Sequence, residues 1–576
     1  MKSFLPYFGL LALAISAQNS LAQTQFQKTT NASSNDRNYH LTSLPSGALY
    51  ATGYTDAVSG NKDDAFVIRF NAFGEVEWAK TYGDQQDDYS WDLIALKNGD
   101  LLGAGYSSSF GTPKNAATLT RIDSTGKVVW LAGLFNLSYG IDFYRAYETS
   151  TGHLLAGGLM QSASNSDEIV LCKFTQKGQF LWAKTIGTGG SDELMGITET
   201  SEGHYLLSGL MNSTNGFGSS DFGVVKLDTS GSMIWNKIYG GSSGDRLNDA
   251  IQIGNAYYFL GWSSSDGQGS NDVVLMKTDT AGKVNWTKFY GSSNGDLAFN
   301  MKFDKRDSSI VMAGYTDALG SSSRNSLLVK VDLDGDLIWA NSYGKNSRDG
   351  HWPTGLVINH EDGYYLLGSS NSFSSNADYD LYLVKTDGDG KSGCNQADPS
   401  FKEKNVSWSG KSVASGSKPS LTTGTGTITP GNWNIKSRSA CCNLSKPKLT
   451  GAHLCLEDTV RVGTSSIPKG YSFNWLYNNQ SISTGSNIQI AYGNPGFYDL
   501  TVSAKGSNCK TQIESIEISN SKKPQTGLDS LYVFCEGEKV ELIPDNNLKK
   551  TVWLSFQSQQ PDTSFSRIYS ETDTFL

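Results

Sequence analysis

Carboxylates recur along this chain at fixed distances from tryptophan and glycine. The pattern W-x4-G-x4-D ends at Asp88, Asp192, Asp245, Asp296 and Asp349, and a second acidic series stands at Asp64, Glu168, Asp221, Asp272 and Asp380. Gathered on one face, such groups could bind a cation or a glycan, or supply the acidic pair of a polysaccharide-active enzyme. They also have a plainer use, because a short acidic side chain in a turn accepts backbone N–H bonds and caps its own loop. A ring of equivalent, separately satisfied carboxylates indicates a scaffold. Acidic pairs and aromatics that converge in a pocket indicate an enzyme.

Other chemistry-bearing patterns carry less. G-x-S-x-G occurs at Gly240, Ser242 and Gly244, and again at Gly291, Ser293 and Gly295, which is the spacing of a nucleophile elbow. A loop that recurs one unit later belongs to the repeat, and neither copy leads from a strand into a helix. The six histidines are scattered, without H-E-x-x-H or Cys/His ligand spacing. Asp332, Asp334 and Asp336 around Gly335 match half of a calcium loop but equally fit a repeated turn. The sequence therefore implies no catalytic residue and no cofactor, with calcium the one cation that has a partial signature.

The elements that must position these residues announce themselves as repeats. Trp78, Trp130, Trp182, Trp235, Trp286 and Trp339 follow one another at intervals of 51 to 53 residues, and Gly53, Gly105, Gly158, Gly209, Gly261, Gly314 and Gly368 keep the same beat. A turn glycine precedes each tryptophan by four residues, usually within D-x-x-G; in the seventh unit Gly390 keeps its place, but Cys394 stands where tryptophan is expected. Each unit alternates with period two between turn residues, as in LMGITET, YLLSGLM, FGVVKLD and SMIWNKIY. Four short strands repeated seven times predict an all-β fold, a seven-bladed β-propeller over 36–396. The six tryptophans are expected to pack between adjacent sheets, and the strand glycines to mark a close approach of a neighbouring strand or side chain. A parallel β-helix is the structural competitor, but its coils are shorter than these units.

Units such as DAFVIRFNAFGEVEWAKTYG and LLGSSNSFSSNADYDLYLVKTDGDGKSGCN resemble the propeller repeats of exported Bacteroidota proteins. Those repeats are often joined to immunoglobulin-like or PKD-like modules and exported by the type IX secretion system. The resemblance implies a surface or secreted component and assigns no activity. Quinoprotein dehydrogenases and sialidases, two enzymatic propellers, place Asp and Gly at other spacings than the two intervening residues found in Asp228-Thr229-Ser230-Gly231.

Composition agrees with an exported β protein. The 576 residues are 38% hydrophobic and 18% charged with 62 glycines, which favours turns and strands. The net charge of −9 is dispersed, so no basic stripe exists to neutralise nucleic-acid phosphates. Residues 1–22 have the layout of a signal peptide, with cleavage expected after Ala22 and Ala17 as the alternative. The apolar run is short for a transmembrane anchor, no lipoprotein cysteine follows either site, and no later segment is apolar enough to span a membrane.

Residues 23–35 read as a linker and 397–446 as a Ser/Thr/Gly-rich connector ending in Cys441 and Cys442, one of which is expected to pair with Cys394. Over 447–520, Cys455, Trp475 and Cys509 resemble the core of an immunoglobulin-like or PKD-like sandwich, which implies a Cys455–Cys509 bridge. A second such module, over 526–576, begins at Cys535 and Trp553 and is expected to be incomplete, which would explain seven cysteines. The expected function is non-enzymatic: a secreted or cell-surface scaffold for protein or glycan binding, with the sandwiches as spacers. The alternative is a glycosidase or lyase on the propeller.

Overall fold

The structure is a computed structural model. It describes residues 24–444 apart from 32–35, 57–61, 110–113, 162–165, 214, 321–323, 346–348, 350, 360–362, 374–378, 414–421, 426–430 and 433–434; beyond 444 it describes 453–454, 459–463, 471–477, 480–484, 487–491, 496–504, 510–520, 540–542 and 550–552. The signal-peptide segment therefore lies outside the described residues. No helix occurs among those described.

Residues 23–445 form one compact unit, a seven-bladed β-propeller. Six blades are consecutive four-stranded antiparallel meanders, a to d. In blade 1 these are Asp36–Ser43, Leu49–Thr55, Asp64–Phe70 and Val76–Tyr82. Strand a of each blade touches strand a of the next around the ring, so these strands line the axis. Blade 7 takes strands a to c from His351–Ile358, Tyr364–Ser370 and Asp380–Lys385, and its fourth strand is Thr24–Asn31 from the N-terminus.

That exchange accounts for the missing seventh tryptophan. Trp78, Trp286 and Trp339 lie opposite Arg69, Lys277 and Lys330 of strand c, and Phe26 lies opposite Lys385 in the same register. The indoles of Trp78, Trp130, Trp182, Trp286 and Trp339 rest against the turn glycine of the following blade, while at Gly282 the nearest atoms belong to Tyr239 and Lys237. A Cβ on Gly126 would meet Trp78, one on Gly335 would meet Trp286, and one on Gly390 would meet Trp339. The glycine of blade 1, Gly74, meets Phe26 instead. These turns are shaped by an Asx cap: Asp332 Oδ1 accepts the N–H groups of Asp334 and Asp336, and Gly335 adopts a φ of 80°, where a side chain would be strained. The hydroxyls of Tyr82, Tyr290 and Tyr343 then donate to the carbonyls of Gly126, Gly335 and Gly390.

The strand-b glycines answer to a second rule. Strand a carries a β-bulge in each of the first six blades, as between Ser90 and Asp92 or between Ala298 and Asn300. At the bulge its carbonyl swings over strand b, so a Cβ on Gly105 would overlap the oxygen of Tyr89 and one on Gly314 that of Leu297.

The propeller unit extends past 36–396 at both ends. Residues 396–444 run around the rim against the blade order, adding strands to the outer edges. Gln396–Ala397 pairs with blade 6, Lys402–Val406 with blade 5, Thr422–Thr425 with blade 2, Gly431–Asn432 with blade 1, and Lys436–Leu444 with the N-terminal strand in blade 7. Lys411 exchanges two backbone hydrogen bonds with Ile238 of blade 4. Trp408 anchors this belt with its ring edge-on to Phe222 at 5.2 Å and to Phe289 at 5.6 Å. The segment read as a connector thus covers sheet edges that would otherwise offer unpaired backbone groups. Cys394, at the start of the belt, is disulfide-bonded. The side chains of Cys441 and Cys442 lie outside those described, but the backbone of Cys441 stands opposite Gln27, whose amide donates to the Cys394 carbonyl.

A second unit includes residues 446–576. Its described strands form a five-stranded sheet that contains Tyr471–Tyr477, Gly496–Ala504 and Lys510–Asn520, a pair formed by Thr459–Gly463 and Asn487–Ala491, and a further pair at 540–542 and 550–552. Trp475 is fully buried. Cys455, Cys509, Cys535 and Trp553 lie outside the described residues.

Phe26 joins a core that combines the N-terminal strand, blades 1 and 7, and Ile435 of the belt. Phe26→Ala is expected to destabilise the propeller by about 3–5 kcal/mol, and Phe26→Trp by much less, because an aromatic ring still fills the site. Denaturant unfolding followed by tryptophan fluorescence measures both.

Candidate functional site

The five carboxylates of W-x4-G-x4-D are buried, with residue exposures of 0–2%. Each accepts the backbone N–H of the residue four positions earlier: Asp84 to Asp88 at 3.0 Å, Gly241 to Asp245 at 2.7 Å, Ser292 to Asp296 at 2.6 Å, Lys345 to Asp349 at 2.6 Å, and Thr188 to Asp192 at 2.5 Å. A hydroxyl or N–H from the end of strand b adds a further bond, as from Ser109 to Asp88, Asn212 to Asp192, Ser265 to Asp245 and Ser372 to Asp349. In the second series Asp221 accepts from Phe217, and Asp272 from Gln268 and Gly269. The structure uses these carboxylates as loop caps.

The two series meet around the glycine of the motif. A Cβ on Gly240 would strike both Asp221 and Asp245, and one on Gly291 would strike Asp272 and come close to Asp296. The blades are stitched at the same level. The backbone N–H groups of Asp88, Asp192, Asp245 and Asp296 donate to the carbonyls of Asp63, Asp167, Ser220 and Asn271 of the preceding blade, and that of Asp36 to Tyr379 closes the ring. Burial, opposed by these hydrogen bonds and assisted by the neighbouring carboxylate, pushes Asp245 and Asp296 up to about 6.

What does converge is a set of rings that the sequence analysis did not single out. Tyr39, Trp91 and Tyr144 are the bulge residues of blades 1, 2 and 3, and Tyr54, Tyr89 and Tyr106 flank them on strands a and b. All six are half-buried. Trp91 lies 4.3 Å from Tyr39, 5.7 Å from Tyr89 in a stacked arrangement and 5.6 Å from Tyr144 edge-on; Tyr89 also stacks on Tyr106 at 4.8 Å and contacts Tyr54 at 4.3 Å. The result is an aromatic crescent at the axis, on the acidic-loop face, held by a hydrogen bond from the Tyr89 hydroxyl to Asp63. The only sequence signal was an aromatic three residues after a ring aspartate, Asp36 to Tyr39 and Asp88 to Trp91.

Residues two positions before the bulge differ from blade to blade: Arg37, Tyr89, Asp142, Glu193, Arg246 and Leu297. Glu193 and Arg246 form an ion pair at 2.8 Å across blades 4 and 5. Asp142, beside Tyr106 and Tyr144, is pushed up to about 6 by burial despite a hydrogen bond from Asn115, with the charge of Asp167 adding to the shift. One position past the bulge, side chains join successive a strands: Asp92 accepts from Ala146 N–H and Asp249 from Met301 N–H, each at 2.8 Å, and His40 Nδ1 lies 2.9 Å from the Leu93 carbonyl.

The remaining sequence candidates fall into place as architecture. Both G-x-S-x-G copies lie in d–a loops that lead into strand a. Of the half calcium loop, Asp332 caps its turn and Asp336 pairs with Lys288. No cluster of three metal-ligating side chains occurs among the described residues, and no helix there is long and apolar enough to cross a membrane. No protein-family model matches the chain, and no curated protein is significantly similar to it.

The caps have a measurable cost and a pH signature. Asp245→Ala leaves the Gly241 N–H and the Ser265 hydroxyl without their acceptor and is expected to cost about 1–3 kcal/mol, unchanged by chelators. Folded Asp245 holds its proton more tightly than the unfolded chain does, where the group titrates near about 4, so its contribution to stability is complete below that value and is lost as pH rises through about 6. Asp245→Asn should therefore become more stable relative to wild type as pH rises from 4 to 7, which thermal melts across that range detect.

Proposed function

We propose that this protein is an exported, non-enzymatic binding protein whose propeller presents the aromatic crescent of blades 1–3 to a glycan, with the C-terminal β modules as spacers. The observation that carries the reading is a departure from repetition. Ring aspartates, docking tryptophans and strand glycines recur in nearly all blades because they serve blade architecture. The bulge residues do not: in blades 1 to 3 they are half-buried aromatics that touch one another, whereas blades 4 to 6 carry Met195, Asn248 and Phe299, of which Asn248 and Phe299 are buried. Three neighbouring half-buried rings, backed by three tyrosines, give an apolar surface of the kind that the C–H faces of sugar rings cover. Export rests on the N-terminal signal layout, and the resemblance to exported propeller repeats supports a location at or beyond the outer cell surface.

One observation favours the alternative, a polysaccharide-active enzyme. Asp142 and Glu193 differ in environment and stand beside the same rings, and unequal carboxyls are what glycoside hydrolysis uses. Release of reducing ends from polysaccharides by the purified protein, lost in Asp142→Asn and in Glu193→Gln, would decide for the enzyme.

The binding reading predicts that Trp91→Ala and Tyr144→Ala each weaken glycan affinity about tenfold or more while thermal stability stays within a few degrees, since the rings are half-exposed and stacking contributes about 1 kcal/mol or more per ring. Glycan-array screening followed by calorimetry on the full chain measures this. Binding untouched by Trp91→Ala would reject the crescent as the site.

A further inference from the structure

The crescent contains a carboxylate whose hydrogen bonding the fold leaves incomplete: Asn115 bonds to Asp142, but one oxygen is left over. Asp142 occupies the position filled by Arg37, Tyr89, Glu193, Arg246 and Leu297 in the other described blades, so blade architecture does not require a carboxylate there. Its Oδ1 is shielded from solvent and accepts no hydrogen bond among the described residues. The ring aspartates are each met by a backbone N–H, even where one oxygen is left over as in Asp88, whereas no such bond reaches Asp142 among the described residues. The equivalent acid of the next blade, Glu193, has its guanidinium partner in Arg246, whereas no cation pairs with Asp142 among the described residues. Trp91 Nε1, on the adjacent ring, likewise has no acceptor. An acceptor and a donor left over beside stacked rings are what a ligand with both hydroxyl groups and an apolar face would complete.

The geometry points to Asp142 as the polar anchor of the crescent, accepting hydrogen bonds from the hydroxyls of a neutral glycan and turning away acidic ones. This inference rests on the glycan reading above and adds to it a ligand class and a specificity residue. The groups facing Asp142 are Tyr106 of blade 2, Asn115 of the loop before strand c of blade 2, Tyr144 of its own strand and Asp167 of the following loop, with Glu193 and Arg246 beyond Tyr144. Asp167 adds a second negative charge and Glu193 is already neutralised, so a uronate carboxylate entering here meets two like charges with no free cation in the group. The ionised carboxylate accepts hydroxyl hydrogen bonds more strongly than the protonated acid, which keeps only its carbonyl oxygen as a good acceptor, so affinity should fall as the carboxyl takes up its proton.

Calorimetry with the full chain tests this on neutral hexasaccharides from cellulose, mannan, xylan and chitin, and on hexagalacturonate. At least one neutral hexasaccharide should bind at pH 7 and hexagalacturonate should not. Neutral binding should weaken about tenfold between pH 7 and pH 5, and Asp142→Asn should weaken it about tenfold at pH 7 and abolish that pH dependence. Asp142→Asn should also bring hexagalacturonate affinity closer to that of the neutral chain. Asp142→Ser, and the wild-type pH profile itself, serve if the amide variant does not fold. If Trp91→Ala weakens binding while Asp142→Asn, Asp142→Ser and pH leave it unchanged, Asp142 is not the anchor and the crescent still binds glycan. Preference of wild type for hexagalacturonate overturns the selectivity. Failure of all five sugars to bind overturns the glycan reading and this inference with it.

Discussion

The propeller depends on one contact, an aromatic ring of strand d laid against the turn glycine of the next blade. A single blade buries only part of its apolar surface, so each sheet needs a neighbour on both faces. The indole supplies area, and the positive φ of the glycine keeps the turn flat enough for the ring to reach it. Tyrosine hydroxyls bonded to the same glycine carbonyls fix the angle between sheets. Such contacts must close on themselves around the ring, and the last comes from Phe26, more than 300 residues away from strand c of blade 7 in sequence. The N-terminal strand, blade 7 and the belt are therefore consequences of a closure condition. Without Phe26 the last blade would leave Gly74 and the core of blade 1 uncovered.

Repetition also separates architecture from function. Ring aspartates look like a site because they are acidic and regularly placed, yet each is consumed by its own loop. Burying a carboxylate is costly, and three or so hydrogen bonds offset that cost only partly, which is why Asp245 and Asp296 hold their protons more tightly than free aspartate does. The same logic applied to departures from the repeat leads to the bulges. A bulge takes one side chain out of the regular alternation of the strand, and its type varies from blade to blade, so the repeat leaves that position some freedom. In blades 1 to 3 that freedom is used for Tyr39, Trp91 and Tyr144.

The belt changes the meaning of the segment after the last blade. Outer d strands of an isolated propeller are open edges able to pair with other chains. Here the protein's own residues 396–444 occupy many of those edges, anchored by Trp408. Closure thus occurs twice, once through the N-terminal strand within blade 7 and once through the belt that lies over it.

The sequence by itself determined the number of blades, the four-strand pattern and the role of the tryptophans, because period-two alternation and a beat of about 52 residues are local properties that side-chain type expresses directly. Even the close approach at the strand glycines was legible, since glycine recurs where a Cβ cannot fit. Only the tertiary structure decided which strand completes blade 7, because the N-terminal strand lacks the turn glycine and tryptophan of the other d strands, and its partners are hundreds of residues away. The belt was invisible for the same reason: a Ser/Thr/Gly-rich stretch has no pattern until an edge strand gives it one. The crescent was likewise decided in three dimensions. Tyr39, Trp91 and Tyr144 are about 52 residues apart in the chain, and a bulge in each strand brings their rings together at the axis.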